Sequence, residues 1–290
     1  MHDVRAKLRT TTRLLAVAAL LAGCRSTSPP GGRPGSGERA PEIPSRECVS
    51  LHVRDVEGST VLLVPARGLP GSFLQLDTGA DRSVLYGDAA RAASGPVGVF
   101  SRRSIVPASR AELTVDSAPG LGRVVGTAGT DVLAGSVLVF DPVGRELCAG
   151  DRAPPGTWVV PSRFENGKAF VSLSMAGRTL ADLAFDTGAQ FGLVVDRGDF
   201  EEMTGVRTED PTNRRTKVTA WGETLVVVVA PARADVALGG RSLARLEVAT
   251  IESRPDAFAK VRRFRLRGLL GWPALGGRAF ALDLRAGGGG

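Results

Sequence analysis

The chain has 290 residues, with 37 Lys and Arg against 30 Asp and Glu, and only two histidines, His2 and His52. With so few histidines, a Ser-His-Asp hydrolase, a His-rich zinc site or an HExxH protease would be hard to build. Carboxylates must therefore carry most of any acid–base chemistry. The pI near 10.1 reflects arginine spread along the chain, and with one tyrosine and no basic-aromatic stripe the composition predicts no nucleic-acid binding.

Residues 1–23 have the pattern of an export signal. A basic stretch precedes the apolar run Leu14 to Ala22, which is too short to span a bilayer as a helix. The segment ends Leu-Ala-Gly-Cys24, which resembles the lipobox of bacterial lipoproteins. This resemblance implies a cleaved signal peptide, lipidation of Cys24 and a membrane anchor. Because Arg25 follows the cysteine, it also implies a cell-envelope location at the periplasmic face of the outer membrane. The alternatives are an ordinary secretory signal and an uncleaved anchor.

The next segment, residues 24–45, consists mostly of Ser, Pro, Gly and Arg and predicts a flexible tether, because it has almost nothing apolar to bury. With Cys24 lipidated, Cys48 and Cys148 remain as an even pair. An oxidising compartment favours a disulfide between them, and two buried free thiols are the alternative.

The remaining chain contains an internal repeat. Both copies have an apolar strand followed by Asp-Thr-Gly-Ala, at residues 73–80 and 182–189, and each is preceded by a strand-like run and a turn containing glycine. A GxxGxxxL segment follows in each copy, at residues 126–133 and 268–275. An aspartate follows eight residues after each segment. Asp141 ends the apolar stretch of the first copy, and Asp283 lies inside that of the second. Unrelated segments rarely agree in spacing without gaps, so the pattern predicts two similar structural units.

These motifs resemble those of the pepsin and retropepsin class of aspartic proteases, and most of all those of bacterial tandem retropepsin-like proteins. The resemblance spans residues 47–285. It implies a mainly β, bilobal fold with a pseudo-two-fold axis and an active site between the lobes. The first retropepsin-like lobe is expected at residues 46–152 and the second at residues 153–286.

Asp77 and Asp186 are the candidate catalytic residues. Two carboxyl groups about 3 Å apart cannot both ionise, so they share one proton and titrate as a unit. Such a pair can activate water as a general base and protonate the leaving amide as a general acid. Their neighbours are expected to support the site, the threonines by bonding across the lobe junction and the glycines by permitting close approach: Thr78, Gly79, Thr187 and Gly188.

Residues 215–229 predict two strands joined at Trp221-Gly222, which is the best candidate for a flap that covers substrate. The corresponding stretch of the first copy, residues 97–115, is broken by glycine, proline and a polar run. A shortened or missing flap is therefore expected there.

The sequence thus predicts an aspartic endopeptidase tethered outside the cytoplasm, acting on peptides or proteins without a metal or organic cofactor. It is expected to be a monomer whose two lobes pair within one chain. One alternative is a catalytically silent peptide-binding lipoprotein that keeps the fold. Another is an enzyme that pairs its lobes between two chains.

Overall fold

The computed structural model describes residues 46–56, 59–101, 105, 109–110, 116–118, 122–220, 223–253 and 266–285. These residues form a mainly β structure. The first half contributes β1 (Arg46–Ser50), β2 (His52–Val56), β3 (Ser59–Pro65), β4 (Ser72–Leu76), β5 (Val84–Tyr86), α1 (Gly87–Ala92), β6 (Ser109–Arg110), β7 (Asp116–Ala118), β8 (Gly122–Ala128), α2 (Thr130–Leu133), β9 (Val137–Asp141) and β10 (Glu146–Gly150).

The second half has more strands. It contributes β11 (Trp158–Val159), β12 (Arg163–Glu165), β13 (Lys168–Met175), β14 (Arg178–Asp186), β15 (Leu193–Val195), α3 (Arg197–Thr204), β16 (Arg214–Ala220), β17 (Glu223–Pro231), β18 (Val236–Leu238), β19 (Arg241–Ser242), β20 (Glu247–Ile251), β21 (Gly268–Gly271), a 3₁₀ turn (Trp272–Leu275) and β22 (Phe280–Asp283).

The sequence repeat appears in the order of the strands. The first half contains the order β3-β4-β8-β5 and the second half the order β13-β14-β21-β15. In both, the strand that leads to Asp-Thr-Gly runs parallel to the glycine-rich strand, which in turn pairs antiparallel with the next strand. The two aspartates therefore leave their sheets at equivalent points.

A third sheet, in the order β1-β10-β9-β22-β11, combines strands from both halves. Its β9 and β22 pair antiparallel, with Phe140 opposite Phe280 and their rings stacked 4.7 Å apart. The Phe280 ring also meets the Phe185 ring edge-on at 5.4 Å. All three phenylalanines are buried in the main core. The shared sheet thus packs directly under the strand that ends at Asp186.

A disulfide joins Cys48 to Cys148, which face each other across the antiparallel pair β1 and β10. The two cysteines are separated by 100 residues in sequence, so the bond closes a loop that contains most of the first half. Because β1 lies at the edge of the shared sheet, the disulfide fixes the beginning of the described chain to that sheet.

Strands β16 and β17 form the hairpin that the sequence predicted, paired from Arg214 opposite Val229 to Ala220 opposite Glu223. Alternate side chains of the hairpin, including Val218, Leu225 and Val227, are buried in a second apolar cluster. This alternation is why a run of valines forms a strand here. No helix in the described part of the chain is long and apolar enough to cross a membrane.

Candidate active site

Asp77 directly follows β4, and Asp186 is the last residue of β14. The residue before each aspartate is fully buried, Leu76 in the first copy and Phe185 in the second. Both aspartates are themselves inaccessible, with 1% and 0% of their surface exposed. Residues 77–80 and 186–189 are called the first and second Asp loops below. Each apolar strand therefore delivers a carboxyl group into the protein interior.

The carboxyl group of each Asp loop lies against the glycine of the other loop. A Cβ added to Gly79 would lie 2.5 Å from Cγ of Asp186, and a Cβ added to Gly188 would lie 2.8 Å from Cγ of Asp77. Real Cβ atoms essentially never come this close to another atom, so a side chain at either position would force the facing carboxyl group to move. The structure thus brings Asp77, Asp186, Gly79 and Gly188 together at one point.

The two threonines tie the loops to each other. The Thr78 N–H donates to Oγ1 of Thr187, and the Thr187 N–H donates to Oγ1 of Thr78, each at 3.0 Å. The Thr78 hydroxyl also donates to the carbonyl of Phe185 at 2.8 Å. All three bonds are buried, so they hold the first Asp loop in register with the second more strongly than exposed bonds would.

Hydrogen bonds from the backbone orient each carboxyl group. Oδ1 of Asp77 accepts from the Ala80 N–H at 2.9 Å, and Oδ1 of Asp186 accepts from the Gly188 N–H at 2.8 Å. Both Oδ2 atoms are buried and have no protein donor among the described residues. A proton carried by one carboxyl group would supply the missing donor, because a protonated carboxyl can bond to an ionised one.

Burial and proximity change the acidity of the pair. Burial raises the pKa of Asp77 well above its usual range, and the adjacent Asp186 raises it further. Burial also raises the pKa of Asp186, although hydrogen bonds with Asp77 and the Gly188 N–H oppose the rise. Loss of one proton leaves a pair that shares the remaining proton. Loss of that second proton is disfavoured, because it would leave two buried negative charges side by side.

Lys168 is a residue of the site that the sequence did not reveal as functional. It begins β13 in the second half, yet its ammonium group donates to the carbonyl oxygen of Gly79 in the first Asp loop. Burial lowers the pKa of Lys168, and the charges of Asp81, Asp186 and Asp77 oppose that change. A signal was present in the sequence, because only four of its 37 basic residues are lysine.

A polar network around Ser83 and Asp131 supports the first Asp loop. Ser83 donates its hydroxyl to Oδ1 of Asp131 at 2.5 Å and its N–H to the same carboxylate at 2.9 Å. The Gly129 N–H in turn donates to the Ser83 hydroxyl at 2.9 Å. Asp131 belongs to α2, just after the glycine-rich strand β8, so this network links the two motifs of the first copy.

Several predicted site residues lie outside the described part of the chain. Trp221 and Gly222, the candidate flap tip, fall between β16 and β17, whose hairpin is described. Cys24, the candidate lipidation site, lies outside as well, together with the signal peptide and the tether. Most of residues 102–115 are also outside, so the expected loss of a flap in the first half stays a prediction.

Among the described residues, three potential metal ligands of the Cys, His, Asp and Glu types come together at Cys48, Glu146 and Cys148. The disulfide occupies both sulfur atoms there.

Neither known protein families nor curated proteins gave a match to this chain. The arrangement of Asp77 and Asp186 is therefore the main guide to function.

Proposed function

We propose that the protein is an aspartic endopeptidase with the bilobal fold of the pepsin and retropepsin class. One observation carries the proposal: two buried carboxyl groups from equivalent loops meet in one chain, each against the glycine of the other loop. A structural role alone gives no reason to bury two like-charged groups side by side, since this arrangement destabilises the fold whenever both ionise.

The chemistry follows from the shared proton. The ionised carboxyl of the Asp77–Asp186 pair takes a proton from a water molecule as its oxygen attacks the carbonyl carbon of a peptide bond. The protonated carboxyl gives its proton to the carbonyl oxygen, forming a tetrahedral diol. The carboxyl that took the proton from water then passes it to the nitrogen, while one hydroxyl of the diol returns its proton to the other carboxylate; the C–N bond breaks, and an amine and a carboxylic acid are released. The pair returns to its singly protonated state, so no metal or organic cofactor is required.

The surroundings suit this reaction. Leu76 and Phe185 exclude water beneath the pair, which strengthens electrostatic interactions there. The bonds between Thr78 and Thr187 keep the carboxyl groups in a fixed relation, which such proton transfers need. Because both aspartates come from one chain, a monomer contains the whole pair.

We further propose that the β16–β17 hairpin is the flap, with Trp221 and Gly222 at its tip in contact with substrate. The substrates are peptides or proteins of the cell envelope, reached from a membrane anchor at Cys24. A Cys24→Ala variant tests the anchor: it is expected in the soluble fraction, whereas the unmodified protein sediments with membranes. Equal sedimentation of both would remove the anchor from the proposal.

The test of function replaces each aspartate separately. Purified wild-type protein, Asp77→Asn, Asp186→Asn and the surface control Asp235→Asn are incubated with a peptide library between about pH 4 and 7. Wild type and Asp235→Asn are expected to cleave, and a peptide analogue with a hydroxyl in place of the scissile carbonyl should inhibit both. Each site substitution is expected to lower kcat/KM by at least about 10²-fold, the usual share of an acid–base group.

Hydrolysis that survives either site substitution would disprove the shared pair. If the wild-type protein binds peptides from the library but cleaves none, the catalytically silent peptide-binding alternative replaces the proposal.

A further inference from the structure

Lys168 is held against the first Asp loop by the turn that precedes it. Asn166 and Gly167 both have positive φ, at 51° and 74°, which reverses the chain between β12 and β13. The Thr130 hydroxyl bonds to the carbonyl of Gly167 at 2.8 Å and to that of Ala80 at 3.1 Å. The turn is thus joined to the same loop that the Lys168 ammonium group reaches, and the lysine has little freedom to move away.

The charged groups around Lys168 are mainly carboxylates. Asp77 and Asp186 are buried, and the exposed Asp81 follows the first Asp loop. On the neighbouring elements, Asp131 of α2 bonds to Ser83. Glu165, opposite Lys168 in the β12–β13 hairpin, forms an ion pair with Arg163. The positive charge of Lys168 opposes the rise in pKa of both buried aspartates.

The charges balance in one protonation state of the pair. With one proton shared between Asp77 and Asp186, the pair carries a single negative charge, which the Lys168 ammonium group neutralises. A buried charge without a partner is strongly unfavourable, so a nearby cation stabilises this state relative to the doubly protonated pair. The same cation also makes the second ionisation easier, but burial and repulsion between the carboxylates oppose that step.

The repeat shows that this cation is a feature of one half. Leu63 pairs with Gln75 and Phe170 pairs with Ala184, in each case two residues before the aspartate, so the first copy has Val61 where the second has Lys168. One lysine therefore interacts electrostatically with both aspartates, and its hydrogen bond to the first Asp loop crosses the junction between the copies.

We propose that Lys168 is a positioning residue whose ammonium group is the counter-charge that lets the aspartate pair lose its first proton at a lower pH than burial alone would allow. The consequence for catalysis rests on the proposed function, whereas the effect on the pair does not. Removing the charge moves the first ionisation to higher pH, because the singly ionised pair then lacks its partner.

The experiment separates the charge of Lys168 from its hydrogen bond. Lys168→Gln keeps a donor for the Gly79 carbonyl and removes the charge, and Lys168→Arg keeps the charge. Arg278→Gln is the control, because it removes an exposed positive charge elsewhere. The carboxyl carbons of Asp77 and Asp186 are titrated by ¹³C NMR, with the two Asn variants used for assignment.

In Lys168→Gln the first titration step is expected about 1 to 3 pH units higher than in wild type, the usual size of the effect of a neighbouring opposite charge. Lys168→Arg and Arg278→Gln should titrate as wild type does. An unshifted step in a folded Lys168→Gln variant would overturn the proposal. In wild type, the ¹⁵N shift of the Lys168 ammonium group should follow the same step, and its failure to respond would overturn the proposal even if the Gln variant does not fold.

Activity provides the second readout. The acid limb of the kcat/KM profile should move to higher pH in Lys168→Gln by the same amount as the NMR titration. A uniform loss of activity without that movement would mean that Lys168 only holds the turn, and would overturn the proposed role. If wild type cleaves no peptide at all, the endopeptidase proposal fails, and the NMR titration still decides the role of Lys168.

Discussion

The two Asp loops have the same turn but different supports. In each, the N–H of the alanine bonds back to the carbonyl of the aspartate, at 3.1 Å in the first loop and 3.3 Å in the second. Behind the first loop, Ser83 and Asp131 form a polar network. The repeat replaces these two residues by Gly192 and Pro273 in the second copy.

The second loop is supported by the backbone and by packing instead. The Gly271 N–H donates to the carbonyl of Gly192 at 3.0 Å, where the first copy uses the serine hydroxyl. Trp272 is buried in the main core beside it. Lys168 is a further difference, since it bonds only to the first loop among the bonds described. Two copies can thus keep one loop geometry while the interactions that stabilise it are exchanged.

The two halves are expected to differ most in the stability that a disulfide contributes. The first half contains the Cys48–Cys148 disulfide, and residues 153–286 contain no cysteine. Replacing both cysteines by serine is expected to lower the free energy of unfolding by about 2 to 5 kcal/mol, because the unfolded chain gains the freedom of a long open loop. Urea unfolding of the variant and wild type measures the change. An unchanged unfolding midpoint would contradict a stabilising role for the bond.

Replacing the glycine of each Asp loop by alanine tests whether the two loops contact the opposite aspartate equally closely. Gly79→Ala is expected to lower kcat/KM by about 10²-fold or more, because the added Cβ must displace the Asp186 carboxyl group. Gly188→Ala should have a smaller effect, since its Cβ meets Asp77 at a longer distance. Gly95→Ala is the control, as a Cβ there meets no atom within 4 Å. Equal activity of Gly79→Ala and Gly95→Ala would contradict the observed contact.

The raised pKa values of Asp77 and Asp186 should make the free energy of unfolding depend on pH. The folded protein keeps protons on Asp77 and Asp186 that the unfolded chain has already lost above about pH 4, the usual pKa of aspartate. The free energy of unfolding therefore falls as the pH rises, by at most about 1.4 kcal/mol per pH unit for each proton retained. Urea unfolding between about pH 4 and 7 should give a flatter dependence for Asp77→Asn than for wild type. Parallel curves would contradict the raised pKa values.

The smallest effect is expected from the two loop supports. Asp131→Ala should lower the free energy of unfolding by about 1 to 2 kcal/mol, because the buried Ser83 hydroxyl loses its acceptor. Pro273→Ala in the second copy should change it by less than about 1 kcal/mol, since no side-chain hydrogen bond is lost. Thermal unfolding of both variants compares them directly. A larger loss from Pro273→Ala would mean that the proline itself stabilises the second loop.

The sequence predicted those features that depend on local pattern. Alternating apolar residues predicted strands such as β13 and the β16–β17 hairpin, and the structure confirms these strands. The mainly β class, which the resemblance of the motifs to those of aspartic proteases implied, is also confirmed. The equal spacing of the two Asp-Thr-Gly motifs also singled out Asp77 and Asp186, because a repeat places equivalent residues at equivalent points of a fold.

The features that the sequence did not predict all depend on contacts between distant segments. Lys168 stands in an ordinary hairpin turn, and its role appears when that turn meets a loop 89 residues earlier in the chain. Ser83 and Asp131 are likewise 48 residues apart, and nothing in either local pattern indicates their bond. The shared sheet pairs β9 with β22 across the two copies, which a repeat alone does not specify.

The position of β1 determines how a mechanical force on the chain is transmitted into the fold. A pull on the chain before Arg46 enters the structure through β1 and arrives at Cys48 two residues later. From there the covalent bond passes the force to β10, in the interior of the shared sheet. A force applied to the chain before Arg46 thus enters the shared sheet, and not the Asp loops that the bonds between Thr78 and Thr187 join.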